Sequence, residues 1–125
     1  MAEDDEEELK QRIIKFLKEL KTLLYDQPII LKPRDKNDQG FIDSGLTSKT
    51  FFYEITSLAL SDYTQGPTPD ETYGGEYWIF GKRYLQKEFY IKLKIVEYSS
   101  GRRGVLLLSF HRAEWPLDYQ FKKSK

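Results

Sequence analysis

The sequence predicts an α+β domain in which two N-terminal helices pack on one face of a twisted antiparallel sheet. Three observations lead there. Apolar residues recur at helical spacing in two segments of the first half. They alternate with period two over residues 88–96. Helical segments precede strand segments rather than alternating with them, which separates helices from sheet.

The first helix is read over residues 4–25. Leu9, Ile13, Phe16, Leu17, Leu20, Leu23 and Leu24 fall on one face, Lys10, Arg12, Lys15, Lys18, Glu19 and Lys21 on the other, and Pro28 closes the segment. Its apolar face is read as core. The acidic residues 3–8 suit a helix N-terminus and form a tip that can fray. Ile29-Ile30-Leu31 is a short strand before "KPRDKNDQG", residues 32–40, read as turns. A second helix spans 47–60, N-capped by Thr47 or Ser48, with Phe51, Phe52, Ile55, Leu58 and Ala59 as its apolar stripe. "SDYTQGPTPDETYGGE", residues 61–76, is broken by prolines and glycines and reads as an ordered surface loop, of a length that often carries function.

Strands follow at 77–82, 88–96 and 105–111, joined by a turn at 83–87 and the hairpin loop "SSGRRG", residues 99–104. In the middle strand Phe89, Ile91, Leu93 and Ile95 share one face, and Tyr90, Lys92 and Lys94 the other. In the last, Leu107, Ser109 and His111 share one face and Leu106, Leu108 and Phe110 the other.

The chain of 125 residues suits one domain. Its longest wholly apolar run, Val105–Leu108, cannot span a bilayer. An acidic start and the absence of cysteine argue against a secretory leader, disulfides, thiolate zinc sites and a thiol nucleophile, which points to the cytoplasm. Twenty basic residues balance twenty acidic ones, but from Trp78 onward there are 11 Lys+Arg against 4 Asp+Glu. A neutral total is therefore compatible with a basic face that attracts a polyanion.

The only histidine, His111, ends the last strand. Folding would set it beside Tyr90, Lys92 and Lys94 on an uncovered sheet face. Imidazole exchanges protons near neutral pH, a phenol can relay them and ammonium groups neutralise phosphate oxygens, a set that suits a phosphodiester. Taken alone, the same residues also fit a solvated strand face. With one histidine and no cysteine only carboxylates remain as ligands, and they do not cluster at ligand spacing, so no metal is expected. Tyrosines and tryptophans intermingled with lysines and arginines suit single-stranded RNA, and the rival reading packs most of these rings, Trp78 and Trp115 among them, in the core.

Four motifs in order, "DYTQGPTPD" (62–70), "EYWIFGK" (76–82), "EFYIKLKI" (88–95) and "LSFHRAEWPLDYQF" (108–121), resemble the MqsR family of bacterial toxin–antitoxin toxins, themselves similar in fold to RelE-like ribonucleases. "KPRDKN" (32–37) is similar to an upstream stretch of one branch, and the resemblance covers residues 9–121. It implies a RelE-like fold and an mRNA interferase: a metal-independent endoribonuclease that cuts single-stranded mRNA, needs no cofactor and is held inactive by a cognate antitoxin, with a dimer formed through that complex.

By position, Tyr90 falls on the family's catalytic tyrosine. His111 stands where the better-known branch has a catalytic lysine. Gln65 lies near another functional lysine, and Ile79 replaces the active glutamine beside the tryptophan. The expected catalytic set is His111 as general acid or base, Tyr90 as its relay, and Lys92 with Lys82 on the phosphate. Arg83, Lys94, Arg112, Gln65 and Tyr63 are expected to hold RNA. Loss of the glutamine and lysine positions also fits a second reading, a toxin-like fold that binds nucleic acid or protein without cutting.

Overall fold

The computed structural model describes residues 3–122. Met1 and Ala2, at the start of the acidic tip, lie outside the described residues. The fold is α+β, with three helices and a five-stranded mixed sheet of order β1-β5-β4-β3-β2. Helix α1 (Glu3–Asp26) includes the acidic segment, so from Glu3 onward the tip is helical. Strand β1 is Ile30–Leu31; α2 is Asp35–Ser44; α3 is Ser48–Thr56; and a short 3-10 turn at Leu60–Asp62 leads into β2 (Tyr63–Pro69). Strands β3 (Glu76–Tyr84), β4 (Lys87–Glu97) and β5 (Arg103–Arg112) complete the sheet.

Helices α1 and α3 bury their apolar stripes on one sheet face. Ile13, Phe16, Leu17, Leu20 and Leu24 meet Phe51 and Ile55, and all pack over Trp78, Phe80, Phe89, Ile91, Leu93, Val105, Leu107 and Phe110. Stacked rings of Phe16 with Trp78 and of Phe89 with Phe110 fill the middle. Thr47 caps α3: its hydroxyl accepts from the Thr50 N–H, and the Thr50 hydroxyl lies within hydrogen-bonding distance of the Thr47 N–H.

Three expectations are corrected. The sheet is mixed rather than antiparallel, because β1 runs parallel to β5. Residues 61–76 are not one loop, because β2 pairs with β3 along the opposite edge. Edge strands tolerate proline, since the N–H that Pro67 and Pro69 lack need not face a neighbour. A third helix, α2, occupies part of the segment read as turns.

Helix α2 closes the β5 edge beyond the reach of β1. The buried Asn37 amide donates to the carbonyls of Lys32 (3.0 Å) and Leu108 (3.3 Å), and its oxygen accepts the Phe110 N–H at 2.9 Å. Gly40 brings the two backbones together: a Cβ there would lie 1.9 Å from the Phe110 carbonyl oxygen. The polar edge of β5 is thus satisfied by a side chain and shielded by a helix.

The β4–β5 pairing slips once. Lys92 faces Ser109 but Leu93 faces Leu107, so Leu108 is an extra residue, a bulge. The slip puts Leu107 in the core, fully buried, and corrects the strict alternation expected for this strand. Ser109 and His111 keep the face opposite the helices.

Candidate active site

Antiparallel register creates the site. Tyr90 pairs with His111 across β4–β5 and with Gly81 across β3–β4; two residues along, Lys92 pairs with Ser109 and Ile79. Because Phe89 and Ile91 face the helices, Tyr90 and Lys92 face away from them. Their neighbours are therefore His111 and Ser109, on the face left without a helix.

The rings of Tyr90 and His111 stack with centroids 5.2 Å apart and planes 14° from parallel. His111 Nδ1 lies 2.9 Å from the Arg112 carbonyl oxygen. A carbonyl only accepts, so that bond requires Nδ1–H and leaves the lone pair of the neutral ring on Nε2. Lys92 holds its ammonium 4.0 Å from the centre of the Tyr77 ring. Burial pushes its pKa below the ordinary lysine value; Asp70 opposes the shift, and the cations of Arg34, Lys32 and Lys94 add to it. Burial raises the Tyr90 phenol above its usual value, with Tyr77 adding to the rise and Arg34 opposing it, so the phenol keeps its proton.

Arg34 belongs to this cluster although sequence reasoning passed over it. Its Nη1 donates to Ser109 Oγ at 3.0 Å and to the bulge carbonyl of Leu108 at 3.4 Å. A guanidinium has five N–H donors, so this anchoring fixes the group while using one of its nitrogens. The available signal was "KPRD": an arginine just before a helix whose first turn carries Asp35 and Asp38.

Other expected site residues are held elsewhere. Lys82 pairs with Phe89 in the helix-facing register, and its ammonium lies 3.9 Å from Asp62 and 3.5 Å from Ser57 Oγ. Tyr63 is a core residue packed on Trp78, Phe80 and Phe121, with its hydroxyl donated to the Gly66 carbonyl. Lys94 is 4% exposed, and its ammonium is bound to Asp70 Oδ2 (2.7 Å) and the Gly74 carbonyl (2.5 Å). Lys94 is therefore a buried anchor of the loop at residues 70–75. Arg83 donates across its own turn to the Gln86 carbonyl, and Arg112 pairs with Phe89, one step out of phase with His111. Gln65 is exposed and pairs with Ile79, in the cross-strand row of Lys92 and Ser109 but roughly 10 Å from Lys92, at two strand spacings.

Two walls bound the open face. After β5 the chain crosses Gly81, where a Cβ would lie 2.4 Å from the Tyr119 hydroxyl oxygen and 2.7 Å from a Leu117 methyl. Glu88 fastens this tail by accepting the Leu117 N–H and the Tyr119 O–H. At the other end Asp70 ties down residues 70–75: Lys94 and the N–H groups of Thr72 and Tyr73 hold its carboxyl at about 2. Among the described residues, no group of three or more His, Cys, Asp or Glu side chains is placed to hold a metal ion, and no helix is long and apolar enough to cross a membrane.

No family model, curated protein or solved structure matches this chain.

Proposed function

We propose that the protein is an endoribonuclease toxin, an mRNA interferase of MqsR type on a RelE-like fold, acting on single-stranded mRNA in the cytoplasm and restrained by a cognate antitoxin. One observation carries the reading: a stacked Tyr90–His111 pair beside Lys92 and the anchored Arg34, on a sheet face that carries no helix.

Each group has a task in transesterification. His111 Nε2 takes the proton from the ribose 2′-OH, whose oxygen attacks the adjacent phosphorus. Arg34 and Lys92 neutralise the charge that builds on the phosphoryl oxygens, and the Tyr90 hydroxyl donates to one of them. The P–O5′ bond breaks, and the leaving oxygen takes a proton from Lys92, whose lowered pKa suits it to give one up. The products are a 2′,3′-cyclic phosphate and a 5′-hydroxyl end. Base, acid and positive charge all come from the chain, so the reaction draws on no metal or cofactor.

Incubation of the purified protein with a long mRNA tests this. Cleavage is expected to persist in EDTA, to leave 2′,3′-cyclic ends, and to fall on the order of 10²-fold or more in His111→Ala. Intact RNA bound in a salt-sensitive manner would instead establish a non-cutting module.

A further inference from the structure

A cavity of about 610 Å³ adjoins the candidate active site on the same sheet face, and no step of the proposed chemistry uses it. Leu106 and Leu108 of β5 line it together with Val96 of β4, and the lining also holds two carboxylates, Glu97 and the Lys94-bound Asp70. Tyr73 lines it from loop 70–75 and is 73% exposed. The ammonium of Lys32 stands 5.2 Å from the centre of the Tyr73 ring.

The loop is braced for a large aromatic that faces solvent. Asp70 Oδ1 accepts the N–H groups of Thr72 and Tyr73, both at 3.1 Å. The Asp70 N–H donates to the Gly75 carbonyl and the Gly74 N–H to the Asp70 carbonyl, each at 2.8 Å. Beneath them the buried Lys94 ammonium ties Asp70 to Gly74. An exposed ring on so constrained a loop loses little conformational freedom when a flat partner stacks on it.

The cavity and the reactive cluster meet at Leu108. Leu108, which lines the cavity, is the bulge residue whose carbonyl receives Arg34. Lys92 and Lys94 are neighbours on β4, roughly 6.6 Å apart for a two-residue step along a strand. Cations on the side toward the reactive cluster and apolar and aromatic walls beyond it match a chain whose phosphates are charged and whose bases are flat.

We propose that this cavity is the subsite for a nucleobase of single-stranded RNA adjoining the scissile phosphate, stacked on Tyr73, with Lys32 on the flanking phosphate. The assignment rests on the ribonuclease reading of the neighbouring cluster.

The test is equilibrium binding, followed by fluorescence anisotropy, of a short single-stranded RNA made uncleavable by 2′-O-methylation, beside cleavage of the unmodified RNA. Tyr73→Ala is expected to weaken binding about tenfold, the loss of one base–aromatic stack, while Tyr73→Phe binds as the wild type does. An RNA lacking the base next to the scissile phosphate should bind wild type and Tyr73→Ala alike. Equal affinity of wild type and Tyr73→Ala for the complete RNA overturns the subsite, and if wild type still cuts, the nuclease reading survives that loss. Tyr73-dependent, base-dependent binding without cleavage supports the subsite and overturns the chemistry. Absence of RNA binding by the wild type overturns both.

Discussion

At the scale of single residues, Lys92 has the sharpest conflict of environments. Burial is the largest effect and disfavours its charged form; Asp70 opposes it, and the cations of Arg34, Lys32 and Lys94 each add to the lowering. A phosphate entering between Lys92 and Arg34 relieves that conflict, which is what a site complementary to a dianionic phosphorane requires. The ammonium is lost at lower pH than in an ordinary lysine, so the basic limb of kcat/KM should fall early. Arg34→Gln is expected to lower the plateau on the order of 10²-fold, as removal of one transition-state donor does, and to move the basic limb to higher pH. A pH–rate profile of the two proteins checks it. A lower rate with an unmoved limb would make Arg34 a mere prop of the bulge. Stability is linked with the opposite sense to a paired lysine. The folded chain binds this proton less tightly than the unfolded one, so stability rises with pH between the lowered value and 10.5.

Among the elements, α2 shows why part of the fold was legible in sequence and part was not. Helices α1 and α3 carry apolar stripes at helical spacing; α1 is where periodicity puts it, while α3 ends at Thr56, short of the expected 60, and leaves Leu58 and Ala59 beyond its end. Helix α2 turns Asn37, Gly40 and Ser44 inward, also at helical spacing, but these residues are polar or small. Its packing rests on hydrogen bonds, close backbone approach and the Phe41 ring set against Phe51 and Phe110, and one inward aromatic does not make the repeating apolar stripe that marks a helix in sequence. The bulge at Leu108 is invisible for a similar reason: strict alternation places His111 beside Tyr90 correctly and Leu107 on the wrong face. Period two brings Tyr90, Lys92 and His111 to one face of the sheet, whereas Arg34 reaches it from the start of α2, which periodicity does not reveal. Register and burial, which alternation does not reveal, set Lys82 and Tyr63 on the helix-facing side of the sheet, away from that face. A close helix–strand contact predicts intolerance of added volume. Gly40→Ala should destabilise the protein by about 3 kcal/mol or more through its clash with the Phe110 backbone, next to His111. Urea denaturation measures this; a loss under about 0.5 kcal/mol would mean that α2 sits less tightly on β5 than its geometry states.

Over the whole molecule, charge is sorted rather than balanced. Six consecutive acids open α1, while Lys32, Arg34 and Lys92 gather on the open face between the Tyr119 tail and the Tyr73 loop. The total of zero therefore hides a local cationic track, and local charge governs attraction to a polyanion. Salt dependence puts a count on that track. Binding single-stranded RNA through three phosphate contacts should make the logarithm of the association constant fall with the logarithm of salt concentration at a slope of roughly −2, about 0.7 for each contact. Arg34→Gln should flatten the slope by about 0.7. Arg83→Gln should leave it within error, because that guanidinium is occupied at its own turn and stands outside the cluster. Anisotropy titrations at graded salt concentrations supply the slopes. Equal flattening by both substitutions would show that RNA follows overall basicity of the second half of the chain. Flattening by Arg34→Gln alone would tie RNA to the face on which Tyr90 and His111 stack.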